Sequence, residues 1–436
     1  MSEPYDHLIE AYARLVVRVG VNVQPGQRVI VRGMVEHAPV VRAITAECYR
    51  VGASKVTVEY GDQHVARAAA ELQPEEMLGK SLPHELEGVR AWKEDRPALI
   101  SLTGNPNPRM MEGLDPDRLV KMQPVEMMRE VMPIVATNTI AWTVVGAPNA
   151  GWAESVLGTA DVARLWEAVA IATRLHEADP VQSWRDHLEK LHVRREMLNS
   201  RHFDRIRYRG PGTDLTVGLP PTARWMGGST TNADGTEFVP NLPTEEVFIS
   251  PDWRRADGVA RTTAPFYVPG LNVLVEGLEL ELADGTVKGA KATRGEEVVQ
   301  KQMDSVPNAR HLGEVAIVDG DSAVRRTNLT YGDMLYDENI GSHVAWGSGF
   351  PVGFERGLEM TADELREAGM NSSPTHVDVV VGSPDVEIDG IQADGTSVPV
   401  TRGDDTDLRF LDAAGCVVGL YAKGNAKKDA SGFVRD

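Results

Sequence analysis

The sequence predicts an α/β N-terminal domain, residues 1–200, followed by a β-rich α+β C-terminal domain, residues 201–436. Strand and helix patterns alternate in the first third of the chain, as they do in an open sheet covered by helices. A long helical stretch follows over residues 161–199. Beyond it, short strands are separated by glycine-containing turns, which places the domain boundary near residues 195–208.

The N-terminal elements follow from hydrophobic periodicity. Apolar residues recur at helical spacing in some segments, and runs rich in β-branched residues lie between them. The predicted order is helix 6–21, strand 28–32, helix 38–51, strand 55–60 and strand 98–102. Neither a GxGxxG sequence nor a Walker loop follows these strands, so a nucleotide cofactor is disfavoured.

The C-terminal domain is predicted to be β-rich because turn residues recur at hairpin-like intervals. These turn signals lie at residues 210–214, 227–228, 234–235 and 284–285.

Composition and charge exclude several classes of partner. The 436 residues carry a formal net charge of −19, which repels phosphate backbones and anionic membranes and favours cationic ligands such as metal ions. No apolar run reaches about 18 residues, the length of a membrane span, and no secretory signal is visible. Cys48 and Cys416 have no disulfide-framework or zinc-site spacing. A cytoplasmic protein without nucleic-acid or membrane partners is therefore predicted.

Residues 375–382 (THVDVVVG) are the most informative segment of the chain. The run is typical of a β-strand because it is rich in valine and ends at a glycine. Side chains alternate across a strand, so His376 and Asp378 point to the same face. An imidazole and a carboxylate at this spacing can reach one metal ion or two ions held close together. The alternative is a strand whose polar face meets water.

Glu314 lies in the otherwise apolar segment 312–318 (LGEVAIV). A buried carboxylate without a partner is costly, so a cation is expected beside it. A metal ion satisfies this pattern, and so does an arginine salt bridge or exposure at a sheet edge.

Other polar segments of the C-terminal half are less specific when taken alone. Glu338 and His343 are five residues apart, too far for one helical face, so a loop is expected to carry them as capping or surface residues. Glu245 and Glu246 point to opposite faces of an extended segment, so only one can face a shared site. Three histidines of the helical stretch are expected to face solvent: His176, His187 and His192.

Together these segments resemble the thermophilic-aminopeptidase family, the aminopeptidase T-like metallopeptidases, in order and spacing over nearly the whole chain. The motifs that carry the resemblance are 21–27 (VNVQPGQ), 210–215 (GPGTDL), 241–248 (NLPTEEVF), 312–316 (LGEVA), 337–339 (DEN) with His343, and 375–378 (THVD). The resemblance implies a two-metal exopeptidase that releases N-terminal amino acids from short peptides. It also implies a homodimer with enclosed active sites.

Roles for individual residues follow from the motif match. Glu314 looks like the bridge between two metals, and Glu338 is similar to a further site acid that is either a ligand or lies just outside the ligand set. The mixed carboxylate and imidazole donors suit zinc, cobalt or manganese. Glu245 is the candidate for moving a proton from a metal-activated water to the leaving amine. The implied ligands are Glu246, Glu314, His343, His376 and Asp378.

Phe350 departs from the family pattern. Family members typically carry a tyrosine seven residues after the histidine of the third motif, in a Gly-x-x-Tyr-Pro run, where this chain has phenylalanine. A phenol can donate a hydrogen bond to an oxyanion and a phenylalanine cannot, and such a donor is commonly worth about 10²–10³ in rate. Two alternatives stay open: a single-iron ring-cleaving oxygenase on the same scaffold, or a metal-binding protein with weak or no peptidase activity.

Overall fold

The computed structural model describes residues 3–269, 273–403, 408–410, 427–428 and 434–435, and Cys416 lies outside these ranges. The chain forms two compact units. The first comprises Met1–Arg185 and Ser229–Leu242, and the second comprises Asp186–Gly228 and Pro243–Asp436. The division into domains at 1–200 and 201–436 stays a prediction.

The α-helices are α1 Asp6–Leu15, α2 Ala38–Arg50, α3 Gln63–Leu72, α4 Pro83–Arg90, α5 Trp92–Asp95, α6 Pro116–Lys121, α7 Val125–Ala136, α8 Ala150–Leu157, α9 Val162–Ala172, α10 Pro180–Arg201, α11 Glu296–Ser305, α12 Ala323–Arg326, α13 Met334–Asp337 and α14 Ala362–Glu367. Shorter helical turns are Val16–Gly20, Val35–His37, Glu75–Met77, Glu338–Ile340, Pro351–Gly353 and Gly357–Glu359. Within the described ranges, no helix has the length and apolar character needed to cross a membrane.

The β-strands are β1 Arg28–Met34, β2 Lys55–Gly61, β3 Ala98–Thr103, β4 Trp142–Gly146, β5 Arg205–Gly210, β6 Thr213–Gly218, β7 Thr230–Thr231, β8 Glu237–Phe238, β9 Asn241–Leu242, β10 Glu246–Ile249, β11 Ala256–Arg261, β12 Phe266–Val268, β13 Val273–Val275, β14 Glu279–Ala283, β15 Thr286–Lys291, β16 Leu312–Val318, β17 His343–Gly347, β18 His376–Val380, β19 Glu387–Ile391, β20 Ser397–Gly403, β21 Leu408–Phe410, β22 Lys427–Lys428 and β23 Val434–Arg435.

A five-stranded parallel sheet forms the centre of the first unit, in the order β2-β1-β3-β4-β9. Three consecutive residues of β1 are buried: Val29, Ile30 and Val31. Because side chains alternate across a strand, this run is buried on both faces, which is typical of a parallel sheet. The predicted α/β fold of the N-terminal part is confirmed.

Two antiparallel sheets dominate the second unit. The larger has the order β15-β14-β11-β6-β5-β19-β20-β21, and the smaller has the order β10-β16-β17-β18. Side chains from both sheets enter one apolar core, including Ile206 and Tyr208 from the larger sheet and Val315 and Val344 from the smaller. The β-rich α+β fold predicted for the C-terminal part is therefore confirmed.

The smaller sheet has one apolar and one polar face. Val344 pairs with Val315 on one side and with Val379 on the other, so these three side chains share a face. The buried residues of that face are Val247, Ile249, Leu312, Val315, Ile317, Val344, Trp346, Val377 and Val379. The residues that alternate with them point to the opposite face, where polar side chains collect.

Candidate metal centre

Strand register brings all the implied ligands to the polar face of the four-stranded sheet. Glu314, Ala345 and Asp378 form one row across three strands, and Gly347 pairs with His376 in the next row of β17 and β18. The small side chains at positions 345 and 347 leave space above the sheet between the polar groups. The implied ligands on this face are Glu246, Glu314, His343, His376 and Asp378.

A β-bulge at Gly313 directs Glu314 to the polar face. The pairing of β16 with β17 shifts register between Leu312 and Glu314, so Gly313 is an extra residue. In a regular strand Leu312 and Glu314 would share a face. The bulge sends Leu312 into the apolar core and Glu314 to the opposite side. No side chain fits at position 313, because a Cβ there would lie 2.2 Å from the carbonyl oxygen of Ser348.

The five implied ligands form two groups that share Glu314. In the first group, His343 Nε2 lies 3.0 Å from Glu246 Oε2 and 3.3 Å from Glu314 Oε1. In the second, His376 Nε2 lies 3.2 Å from Asp378 Oδ1 and 3.6 Å from Glu314 Oε2. The ligand atoms within each group are no more than 4.8 Å apart, close enough for one cation to contact all three. Glu314 thus presents a different oxygen to each group.

Backbone carbonyls orient both imidazoles. His343 Nδ1 lies 3.2 Å from the oxygen of Gly341, and His376 Nδ1 lies 2.8 Å from the oxygen of Ser348. A carbonyl oxygen only accepts hydrogen bonds, so each Nδ1 carries the proton. In the neutral ring this leaves the lone pair on Nε2, which faces the carboxylates. That arrangement is the usual one for a metal-binding histidine.

The buried carboxylates stabilise positive charge in the cluster. Burial disfavours the charged form of His376, but Asp378 and Glu314 outweigh it and raise the pKa of the imidazole to about 10. Burial likewise opposes the charge on His343, yet Glu246 and Glu314 raise its pKa well above the usual value. Burial also raises the pKa of Glu314 to about 7. Without a metal ion, the cluster therefore takes up protons.

Two carboxylate oxygens fit a metal better than they fit a proton. Among the described residues no hydrogen bond reaches Glu246 Oε2 or Asp378 Oδ1, although both atoms are buried. Each lies beside an imidazole Nε2. Lone pairs that face one another in a buried site are stabilised when a cation lies between them. The oxygen and nitrogen donors, without a thiolate, suit zinc, cobalt or manganese.

Glu338 lies at the edge of this cluster. It begins the turn Glu338–Ile340, and neither of the two ligand groups found among the described residues includes it. Asn339 Nδ2 donates a hydrogen bond to Glu338 Oε1 at 3.4 Å. Burial raises the pKa of the Glu338 carboxyl well above its usual value, and the charges of Glu246 and Asp378 add to this shift.

The structure corrects the expectation that His343 belongs to a loop or the surface. It is the first residue of β17 and only 1% of its surface is exposed. The five-residue spacing from Glu338 gives no sign of this, because the histidine begins a strand of apolar residues that pairs with β16 and β18.

Glu245 points to a different environment from Glu246. Its Oε1 accepts a hydrogen bond from the backbone nitrogen of Ala323, at the first residue of α12, at 3.3 Å. Its Oε2 lies 3.5 Å from His187 Nε2. The expected separation of the two neighbouring glutamates onto opposite sides agrees with these contacts.

The expectation that His187 faces solvent is wrong, because only 3% of this residue is exposed. His187 Nε2 lies 2.9 Å from the carbonyl oxygen of Thr244. In α10, the buried residues Leu191, Arg194 and Leu198 follow His187 at intervals of four, seven and eleven residues. The i, i+4, i+7 and i+11 pattern lies on one helical face, so this periodicity was a signal for burial.

Phe350 forms an apolar wall beside the second ligand group. Its ring centroid lies 5.0 Å from that of His376 and 5.5 Å from that of Phe248. The backbone nitrogen of Phe350 donates a hydrogen bond to Ser250 Oγ at 2.9 Å, which fixes the chain at this point. A tyrosine in the same place would carry its hydroxyl on a ring already in contact with His376.

Known proteins match this chain over most of its length. Residues 5–404 match the family described as Thermophilic metalloprotease (M29). Aminopeptidase AmpS of Bacillus subtilis (strain 168) is 36% identical over 92% of this chain and 98% of its own. Aminopeptidase T of Thermus aquaticus is 38% identical over 89% of this chain and 96% of its own. The solved structure of wild-type AmpT from Thermus thermophilus superposes with a TM-score of 0.84, at 36% identity, covering 91% of this chain and 98% of that one.

These matches, with the buried carboxylate and imidazole cluster, define a metallopeptidase. The chain belongs to the thermophilic metalloprotease (M29) family, which confirms the resemblance inferred from its motifs. It is a metal-dependent aminopeptidase, as the similarity to several aminopeptidases over nearly full length requires. The oxygenase alternative finds no support among these relatives.

Proposed function

We propose that this aminopeptidase releases N-terminal residues from short peptides at a two-metal site. The observation that carries the proposal is the position of Glu314 between two ligand groups. Its Oε1 lies 3.3 Å from His343 Nε2, and its Oε2 lies 3.6 Å from His376 Nε2. A carboxylate that presents one oxygen to each group suits a ligand shared by two ions a few Å apart. The proposed metal ligands are Glu246, Glu314, His343, His376 and Asp378, with Glu338 either a further ligand or an acid next to them.

The protein residues supply the geometry for hydrolysis. Two divalent ions held by these residues would supply a water of lowered pKa and would polarise the scissile carbonyl. His343 and His376 present Nε2 to the site because carbonyl oxygens hold their Nδ1 protons. The free α-amine of a peptide would bind a metal ion or an acidic side chain of the site, which favours cleavage at the chain end.

Glu245 is proposed as the residue that transfers a proton to the leaving amine. The proposal rests on the motif match and on the burial of Glu245, whose carboxylate contacts the backbone of Ala323 and the imidazole of His187. In a Glu245→Gln variant, kcat should fall by about 10²–10⁴ while metal content stays unchanged. If Glu245→Gln keeps the kcat of the wild-type protein, Glu245 does not have this role.

Further properties extend the proposal. Zinc, cobalt or manganese is expected because the donors are carboxylates and imidazoles. A homodimer with enclosed sites, acting on short peptides in the cytoplasm, is proposed from the family resemblance and the low cysteine content. Sedimentation equilibrium tests the dimer, and a series of peptides of increasing length tests the size limit.

The decisive experiment combines metal analysis with peptide cleavage. The protein is stripped with a chelator, reloaded with zinc, cobalt or manganese, and analysed by mass spectrometry for metal content. Two ions per chain are expected, together with metal-dependent release of amino acids from a peptide library of varied N-terminal residues. The exposed Glu281→Gln change serves as a control that should leave both readouts unaltered.

Three results would contradict the proposal. One ion per loaded chain would remove the two-metal site. One iron per chain with oxygen consumption would favour ring-cleaving chemistry. No turnover on the library after loading would favour a metal-binding protein without peptidase activity.

A further inference from the structure

A cavity of about 200 Å³ lies beside the metal cluster in the second unit. Its lining includes Tyr267 and Val268 of β12, Met334 of α13 and Val380 of β18. These four side chains make the body of the cavity largely apolar. Tyr267 and Met334 are only partly buried, in agreement with their place in the lining of the cavity.

The cavity also borders the metal cluster. Its lining includes Glu338 and Asp378, and Asp378 is a proposed metal ligand. A peptide N-terminus whose side chain fills the apolar part therefore places its ammonium group and scissile carbonyl near the metal cluster. This arrangement connects the cavity with the proposed reaction.

Two other acidic residues on the lining are engaged in backbone hydrogen bonds. Asp333 Oδ1 accepts from the nitrogen of Leu335 at 3.2 Å. Asp337 accepts from the nitrogens of Tyr331 and Asp333, at 2.7 Å and 3.2 Å. These carboxylates stabilise the loop that carries Met334 and are poor candidates for pairing with a basic substrate side chain.

The size of the cavity suits one large side chain. An apolar cavity of about 150 Å³ accommodates benzene, so about 200 Å³ accommodates a phenylalanine, leucine or methionine side chain. Glycine or alanine leaves most of this space unfilled, which forfeits burial worth about 0.8 kcal/mol per CH₂. A charged side chain such as glutamate or lysine would lose its hydration against these apolar residues, so it fits less well.

We propose that this cavity is the subsite for the side chain of the N-terminal residue, and that it selects large apolar residues. Met334 and Tyr267 determine this specificity. The Tyr267 ring lies close to Gly332, where a Cβ would be 3.3 Å from Tyr267 Cε2. The inference rests on the proposed peptidase function.

Substrate preference of the metal-loaded enzyme tests the proposal. Aminoacyl 4-nitroanilides of glycine, alanine, leucine, phenylalanine, glutamate and lysine are compared by kcat/KM. Leucine and phenylalanine should exceed glycine and glutamate by about 10-fold or more. In Met334→Trp, which fills the cavity, the leucine-to-alanine ratio should fall by about 10–100-fold. The matched control, Met132→Trp on the exposed face of α7, should keep the ratio unchanged.

Several results would overturn the subsite while leaving the peptidase function intact. These are equal rates on all substrates, a preference for lysine, glutamate or glycine, and an unaltered ratio in a Met334→Trp variant with full metal content. If Met334→Trp does not fold, a Met334→Ala variant tests the subsite instead. It enlarges the cavity, so the substrate preference should shift from leucine toward phenylalanine. If no substrate is cleaved, the peptidase proposal fails, and calorimetric binding of phenylalaninamide against glycinamide still decides whether the subsite exists.

Discussion

Glu314 is the single residue on which the proposed site depends most. It is the one residue found in both ligand groups of the described chain, and it is 4% exposed. In Glu314→Gln, one oxygen is replaced by an amide nitrogen that cannot bind a metal ion. Metal content should fall below two ions per chain, and kcat/KM should fall by at least about 100-fold. Mass spectrometry and peptide release measure both, with Glu281→Gln as the control. A variant with two ions and full activity would contradict the shared-ligand assignment.

Substitution of Phe350 tests whether the absence of the family's tyrosine hydroxyl limits the rate. A hydroxyl added in Phe350→Tyr lies on a ring next to His376 and can donate to an oxyanion. The expected result is a kcat higher by up to about 10²–10³, with an unchanged metal content. Steady-state kinetics on a leucyl substrate measure the change. If kcat does not rise, a different donor already serves the reaction or the position takes no part in it.

At the scale of elements, the bulge in β16 decides which face Glu314 joins. Gly313→Ala introduces a Cβ 2.2 Å from the Ser348 carbonyl oxygen, so the strand must shift. The free energy of unfolding should fall by about 1–3 kcal/mol, and metal content should fall with it. Urea unfolding and metal analysis measure the two effects.

A second strand glycine supplies the matched control. At Gly289 in β15 a Cβ would meet its nearest neighbour at 3.5 Å, an ordinary contact, so Gly289→Ala should leave metal content unchanged. Equal effects of the two substitutions would show that the bulge has no special part in placing Glu314.

At the scale of the whole molecule, the charge demand of the cluster predicts a pH-dependent stability of the metal-free protein. The folded-state pKa values of Glu314, about 7, and His376, about 10, both lie above their ordinary values. A raised folded-state pKa contributes stability that is present below the unfolded pKa and is lost as the pH rises through the folded pKa. The free energy of unfolding should therefore fall between pH 5 and pH 10, by on the order of 1.4 kcal/mol per pH unit for each titrating group.

Urea unfolding in the presence of a chelator, at several pH values and constant ionic strength, measures this dependence. Loading with metal should flatten the slope because the ion replaces the protons. His376→Asn should remove the part of the slope above pH 7. A metal-free protein of constant stability across this range would contradict the electrostatic account.

Local pattern predicted most of the individual elements. Strands β1, β2 and β3 lie where valine-rich or otherwise apolar runs predicted them, and α9 and α10 divide the helical stretch close to Asp179. These elements depend on periodicity and on turn residues that are close together in the chain, so the local sequence is enough to predict them. The motif of β18 likewise predicted that His376 and Asp378 share a face, as the register shows.

The positions that local pattern missed depend on distant partners. The burial of His187 depends on the packing of one face of α10, and its contact lies at Thr244, far along the chain. His343 belongs to a strand because β16 and β18 pair on either side of it. No spacing between neighbouring residues specifies either arrangement.

The sequence by itself determined the fold class and the family and predicted the types of ligand, because these depend on local periodicity, motif order and residue chemistry. Only the tertiary structure decided that four separate segments converge on one face of a single sheet. It also showed that the bulge at Gly313 directs the Glu314 side chain to the polar face and that a largely apolar cavity lies beside the carboxylate cluster. The physical reason is that strand register, bulges and cavities are properties of contacts between segments far apart in the chain. Such contacts are established only when the whole core packs.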